Sequence, residues 1–208
     1  MERVWGGTRL ARFDKDLPPG VPIGEMWELV DREDAQSIVA TGEFQGKTLN
    51  DLWRDERVKA ASRETAAWLD EVRRVAIQRA TPCRVRVDRE LRELSLDPNP
   101  QNTAEFCAPN LYGSLNLPNK IQNSSELVLC STDIAQNDPA STPLACNGTQ
   151  SGSSTLVVTP RGTATSGLLL KFHMPQAGTD RCVAVMAPLG LIRSGKATSN
   201  GCDFTTAF

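Results

Sequence analysis

All six cysteines of the 208-residue chain lie after residue 82, at positions 83, 107, 130, 146, 182 and 202. Their spacings of 24, 23, 16, 36 and 20 residues contain no C-x-x-C pair of the kind that holds zinc or does redox chemistry. An even number of cysteines spread through one loop-rich stretch points instead to disulfides and an oxidising compartment. Six cysteines allow fifteen connectivities. The preferred bond joins Cys182 to Cys202 and closes a C-terminal loop around Gly190 and Gly195, worth about 3 kcal/mol by chain entropy. The alternative is that some of the six are merely buried thiols.

The cysteine-free part has a different chemistry. Of the first 80 positions 28 are charged, against 20 of the remaining 128. The net charge of −2 gives no bias toward a polyanionic or polycationic partner. Residues 182–192, the longest apolar-leaning run near the C-terminus, hold Pro188 and Gly190 and fall far short of the roughly 20 residues a spanning helix needs. The opening Met-Glu-Arg-Val-Trp-Gly-Gly has no basic region followed by an apolar stretch, so no export signal and no membrane span is expected in this chain.

Periodicity divides the chain further. Residues 2–57 read as short β segments and turns, with strands expected at Met26–Val30 and Ser37–Ala40 and a short helix capped by Thr48 and ending at Arg57. From Lys59 to Arg79, Ala61, Thr65, Trp68, Leu69, Val72, Val75 and Ala76 recur at helical spacing while most charges fall elsewhere, which predicts a long amphipathic helix stopped by Thr81-Pro82. Cys83, Val85 and Val87 then alternate with Arg84, Arg86 and Asp88, the period of a half-exposed strand. Further strands are expected at 126–130, 154–159, 167–172, 182–187 and 191–193, separated by turns as in an antiparallel meander; residues 97–125 yield no clear element. The expected class is α+β, a long helix packed on an antiparallel sheet and preceded by a small β-rich segment.

Catalytic constellations are sparse. His173 is the one histidine, placed at a strand end with no nucleophile motif near it, so no catalytic residue, metal ligand or cofactor is assigned. The glycines match neither phosphate-binding spacing. Arg193 and Lys196 follow the last strand and could touch a phosphate backbone; two cations on a near-neutral chain are weak support for DNA contact.

Two resemblances attach to these segments. Glu2-Arg-Val-Trp-Gly-Gly-Thr-Arg-Leu, Ile23-Gly-Glu-Met-Trp-Glu-Leu29 and Gly46-Lys-Thr-Leu-Asn-Asp-Leu-Trp53 resemble the opening of a type I mannose-6-phosphate isomerase, a zinc-dependent cupin. The resemblance implies ligands from a Gln-x-His-Pro motif, a Glu and a second His. This chain has no such motif, and one imidazole cannot make a two-histidine site. Residues 59–83, Leu156 to Ala164, Cys182 to Val185 and Pro188 to Arg193 are similar to minor type IV pilins and pseudopilins of the GspH/FimT-like kind. That likeness implies a helix on an antiparallel sheet, a disulfide near the C-terminus, and an extracytoplasmic role in a pilus or secretion system beside other pilin or pseudopilin subunits.

The expected domains are thus 1–57, isomerase-like, and 58–208, a pilin-like head. The basic leader and apolar half-helix of that family are not in the sequence, so the chain is expected not to enter a filament. It reads as a chimera or misjoined reading frame, or as an engineered fusion with a solubilising first segment. A mannose-6-phosphate isomerase-related fragment, inactive alone or drawing ligands from a partner chain, is the alternative function. An extracytoplasmic binding module of the same fold is a third.

Overall fold

The structure is a computed structural model that describes residues 4–5, 8–9, 43–44, 47–97, 106–108, 112–121, 126–134, 138–140, 142–146, 151–198 and 201–205. Contacts divide the chain into Met1–Trp53 and Arg54–Phe208. The first unit contains two short antiparallel ribbons, β1 (Val4–Trp5) with β2 (Thr8–Arg9) and β3 (Glu43–Phe44) with β4 (Lys47–Thr48). The strands expected at Met26–Val30 and Ser37–Ala40 lie outside the described residues.

Helix α1 runs from Leu49 to Arg79 without a break. The sequence pattern suggested two helices meeting near Arg57; the structure corrects this. No Pro or Gly occurs between residues 49 and 79 to end a helix, and fully buried Val58 carries the apolar stripe across the expected gap. The stripe continues through Ala61, Thr65, Trp68, Leu69, Val72 and Ala76. Burying a Leu or Val side chain contributes roughly 1.5–3 kcal/mol, so this face fixes the helix far more firmly than propensity does.

The helix ends in a Schellman arrangement. Thr81 N–H donates to the Ala76 carbonyl and Ala80 N–H to that of Ile77, both at 3.2 Å. The residue in the left-handed position is Ala80, with φ 50°, where glycine is the usual occupant.

Two antiparallel sheets follow where the sequence suggested one. The first has the order β7 (Leu115–Asn116), β6 (Glu93–Leu96), β5 (Cys83–Asp88), β9 (Ser153–Val158). The second has the order β13 (Cys202–Asp203), β12 (Leu191–Ala197), β11 (Arg181–Met186), β10 (Gly167–His173), β8 (Val128–Ile134). The meander is broken because β9 leaves β8 and pairs with β5, Cys83 opposite Val158 and Asp88 opposite Ser153. The Ser131 and Ser154 hydroxyls, 2.7 Å apart, tie the adjoining edges together. Strand β6 and helix α2 (Leu117–Lys120) were not apparent in the sequence; Asn116 caps α2 by accepting from Asn119 N–H at 3.1 Å.

The main core joins the α1 stripe to Val85, Val87, Leu94, Leu156, Leu168, Leu170, Phe172, Val183 and Val185 from both sheets. Opposed residues of an antiparallel pair share a face, so Leu169, Cys182, Ala184 and Cys202 belong to the other side of the second sheet. That side is covered by coil: Leu144 and Phe204 pack on it, held by disulfides Cys130–Cys146 and Cys182–Cys202. A Cβ on Gly201 would strike the Ala140 carbonyl, so the two covering segments touch. The third disulfide, Cys83–Cys107, ties the segment beyond β6 to the start of β5, where Cys107 N–H donates to the Pro82 carbonyl at 2.8 Å.

Candidate functional site

Three segments far apart in sequence converge beyond the C-terminal turn of α1. Arg73 Nε donates to the Gly162 carbonyl at 2.8 Å. A Cβ on Gly162 would press on Ile77 Cδ1, and one on Gly190 would strike the Gly162 carbonyl. Ala164 N–H donates to the Pro188 carbonyl at 3.0 Å. Gly162 and Gly190 both have positive φ, 74° and 64°, so each serves a left-handed turn and a close backbone approach at once. Sequence marked these glycines only as turn residues and gave no sign of the Arg73 contact.

At the other end of the second sheet the β10–β11 connection is clasped by α1. Arg54 donates to the Pro175 carbonyl and pairs with Glu126, both at 2.6 Å. Asp55 accepts from the backbone N–H groups of Gly178 and Thr179. Burial lowers the Arg57 guanidinium from its ordinary value; neighbouring Arg54 adds to this and Glu126 opposes it.

His173 closes β10 with its Nδ1 2.8 Å from Asp180 Oδ1, while Lys171 Nζ lies 3.1 Å from the other oxygen of the same carboxylate. Asp180 therefore engages both Lys171 and His173, an arrangement that fixes the turn. Glu25 and Glu28, the carboxylates that would have to reach His173 for a metal site, lie outside the described residues. Among the described residues no three His, Cys, Asp or Glu gather to hold an ion.

Arg193 and Lys196 both stand on β12. Arg193 opposes Ala184 and Lys196 opposes Arg181, so the strand turns them to opposite faces of the sheet and does not bring them to one phosphate. Cys182 and Cys202 are bonded.

A groove of about 580 Å³ runs along α1, lined by Trp68, Tyr112, Gly113 and Leu115 together with Glu64, Glu71 and Lys120. Trp68 Nε1 donates to the Gly113 carbonyl at 2.8 Å, and its ring lies 5.9 Å from that of Tyr112. Burial, then the Glu71 charge, raises the Tyr112 phenol above its ordinary value. No helix among the described residues is long and apolar enough to cross a membrane.

These features define an α+β domain, helix on antiparallel sheets, stapled by three disulfides. No family model matches the chain. A short N-terminal segment matches curated mannose-6-phosphate isomerases of Bacillus subtilis strain 168. Identity is 41% over 56 residues with mannose-6-phosphate isomerase ManA and 40% over 57 with the "Putative mannose-6-phosphate isomerase YvyI", covering 27% of this chain in each case. The chain spans 18% of the length of these relatives.

Among solved structures the neighbours are minor pseudopilins and type IV minor pilins. The minor pseudopilin EpsH from the type 2 secretion system of Vibrio cholerae is 15% identical, with a TM-score of 0.44 over 67% of this chain and 97% of that one. The type IV minor pilin FimU of Pseudomonas aeruginosa PAO1 is 12% identical, with a TM-score of 0.42 over 71% of this chain and 93% of that one.

Proposed function

We propose that residues 58–208 form a non-enzymatic, extracytoplasmic interaction subunit resembling a minor type IV pilin or type II secretion pseudopilin, working beside other pilin-like subunits. The observation that carries this reading is the meeting of the three segments on which the sequence likeness rests: the exit of the long helix, the 156–164 strand and turn, and the 182–193 hairpin. Three disulfides suit an oxidising compartment. Residues 1–57 are read as an isomerase-like fragment joined to this head, in a natural, misjoined or engineered chimera.

The test is association. The oxidised chain is expected to bind the globular heads of purified minor pilins or pseudopilins in a pull-down. Failure to bind any of them would overturn the proposal. The N-terminal identity to the isomerases favours one second reading, an isomerase-related protein. Stoichiometric zinc in the purified protein, lost on chelation together with turnover of mannose 6-phosphate, would establish that reading in place of the first.

A further inference from the structure

The two edges of the second sheet differ. Strand β8 adjoins β9 through the Ser131 and Ser154 hydroxyls. At the opposite edge β12 is flanked by β13, which holds only two residues and pairs only with Lys196 and Ala197.

Two hydrogen bonds fix which way the backbone groups of β12 point. Ala197 N–H donates to the Asp180 carbonyl, on the β11 side, and Thr198 N–H donates to the Gly201 carbonyl, on the β13 side, both at 2.9 Å. Alternate residues of an antiparallel ladder turn their N–H and C=O groups to the same side, so Leu191, Arg193 and Gly195 face β11 while Ile192, Ser194 and Lys196 face outward. Lys196 meets Asp203 there; the backbone groups of Ile192 and Ser194 meet no partner among the described residues. Thr205, which the register would set opposite Ser194, donates its N–H to Asp203 Oδ1 at 2.8 Å instead. That turn ends β13 and leaves open ladder positions along the first half of β12.

The side chains beside these positions restrict what can pair there. Leu191, 41% exposed, and exposed Arg193 share the face that carries Met186 and Ala184, while Ile192 lies on the other face against the main core. Arg193 forms no ion pair among the described residues. A second copy of β12 fits poorly. The antiparallel register that engages both Ile192 and Ser194 on each copy sets Arg193 opposite Arg193, and like charges directly opposed repel. A strand with a carboxylate at that position turns the repulsion into attraction.

We propose that the open edge of β12 accepts an extended peptide segment of another protein as an added antiparallel strand. The backbone of that segment takes the ladder positions of Ile192 and Ser194. An Asp or Glu lies opposite Arg193, and apolar residues at the next two positions lie opposite Ile192 and Leu191. The inference is independent of the pilin-like reading.

The test is fluorescence anisotropy of a labelled peptide containing Thr-Glu-Val-Leu-Thr, titrated with the full, oxidised chain. It is expected to bind roughly fivefold more tightly than the same peptide with Lys in place of Glu. N-methylation of its first Thr and its Val, whose N–H groups would meet the Ser194 and Ile192 carbonyls, is expected to abolish binding. Ser194→Pro removes an outward N–H without touching the bonds to β11, so it should lose the peptide and keep the melting temperature. Arg193→Glu should reverse the preference and favour the lysine peptide. Equal binding of the N-methylated peptide, an unchanged preference in Arg193→Glu, or no binding of the acidic peptide at millimolar concentration would overturn the proposal. So would a dimer in sedimentation velocity that Ser194→Pro abolishes, since that would assign the edge to a second copy of the chain.

Discussion

Arg73 Nε and the Gly162 carbonyl, 2.8 Å apart, join α1 to a turn 89 residues further along the chain. Gly162 in turn lies under Gly190, so one side chain secures a contact between a helix and two hairpin turns.

Arg73→Ala is expected to lower stability by about 1–2 kcal/mol, because the carbonyl loses its donor and the helix loses a packed stem. Gly190→Ala should cost more, roughly 2–3 kcal/mol, since the added methyl meets backbone that cannot swing aside and the residue holds a positive φ. Thermal melts of the two variants check the order; a Gly190→Ala protein as stable as wild type would contradict the geometry.

Ala80→Gly should act in the opposite direction. The left-handed position that ends α1 strains an alanine, and glycine relieves that strain at some cost in chain entropy, for a net gain of about 0.5–1 kcal/mol. The melting temperature is expected to rise by roughly 1–4 °C.

Each disulfide closes a loop of modest size: 24 residues for Cys83–Cys107, 16 for Cys130–Cys146 and 20 for Cys182–Cys202. Replacing both cysteines of one pair by alanine should cost about 3 kcal/mol per loop in the chain-entropy picture. Denaturant unfolding measures the cost, and a non-reducing peptide map should return these three pairings and no others.

Alkaline pH should weaken the fold through Tyr112. Burial and Glu71 raise its pKa in the folded state, so the folded chain binds the phenolic proton more tightly than the unfolded chain. That stabilising contribution is complete below the unfolded value near 10 and is lost as pH climbs through the higher folded value. Tyr112→Phe is expected to flatten this part of the stability profile above pH ~10.

How much of this was legible in the sequence depended on how local the cause was. The α1 stripe was readable because a 3.6-residue period over some twenty positions has no competing explanation. Its start is not marked locally: Arg54 and Asp55 are engaged with the β10–β11 connection, more than 120 residues further along the chain, which no local pattern reports. Strand β5 was readable from its alternation, and β6 was not, because only Leu94 and Leu96 alternate in it. The split into two sheets depends on which partner β9 takes, a long-range pairing with β5 that no local pattern reports. Arg193 and Lys196 read as neighbours only if the last strand stops at 193; its continuation to Ala197 imposes the alternation that separates them.

The coil that roofs the outer face of the second sheet is crosslinked to it at two points, Cys130–Cys146 and Cys182–Cys202, beside the packing of Leu144 and Phe204. In the reduced protein the cover over Leu169 and Ala184 is expected to loosen while the helix-covered side keeps its core, so that thiol oxidation decides whether this β face is shielded from intermolecular contact.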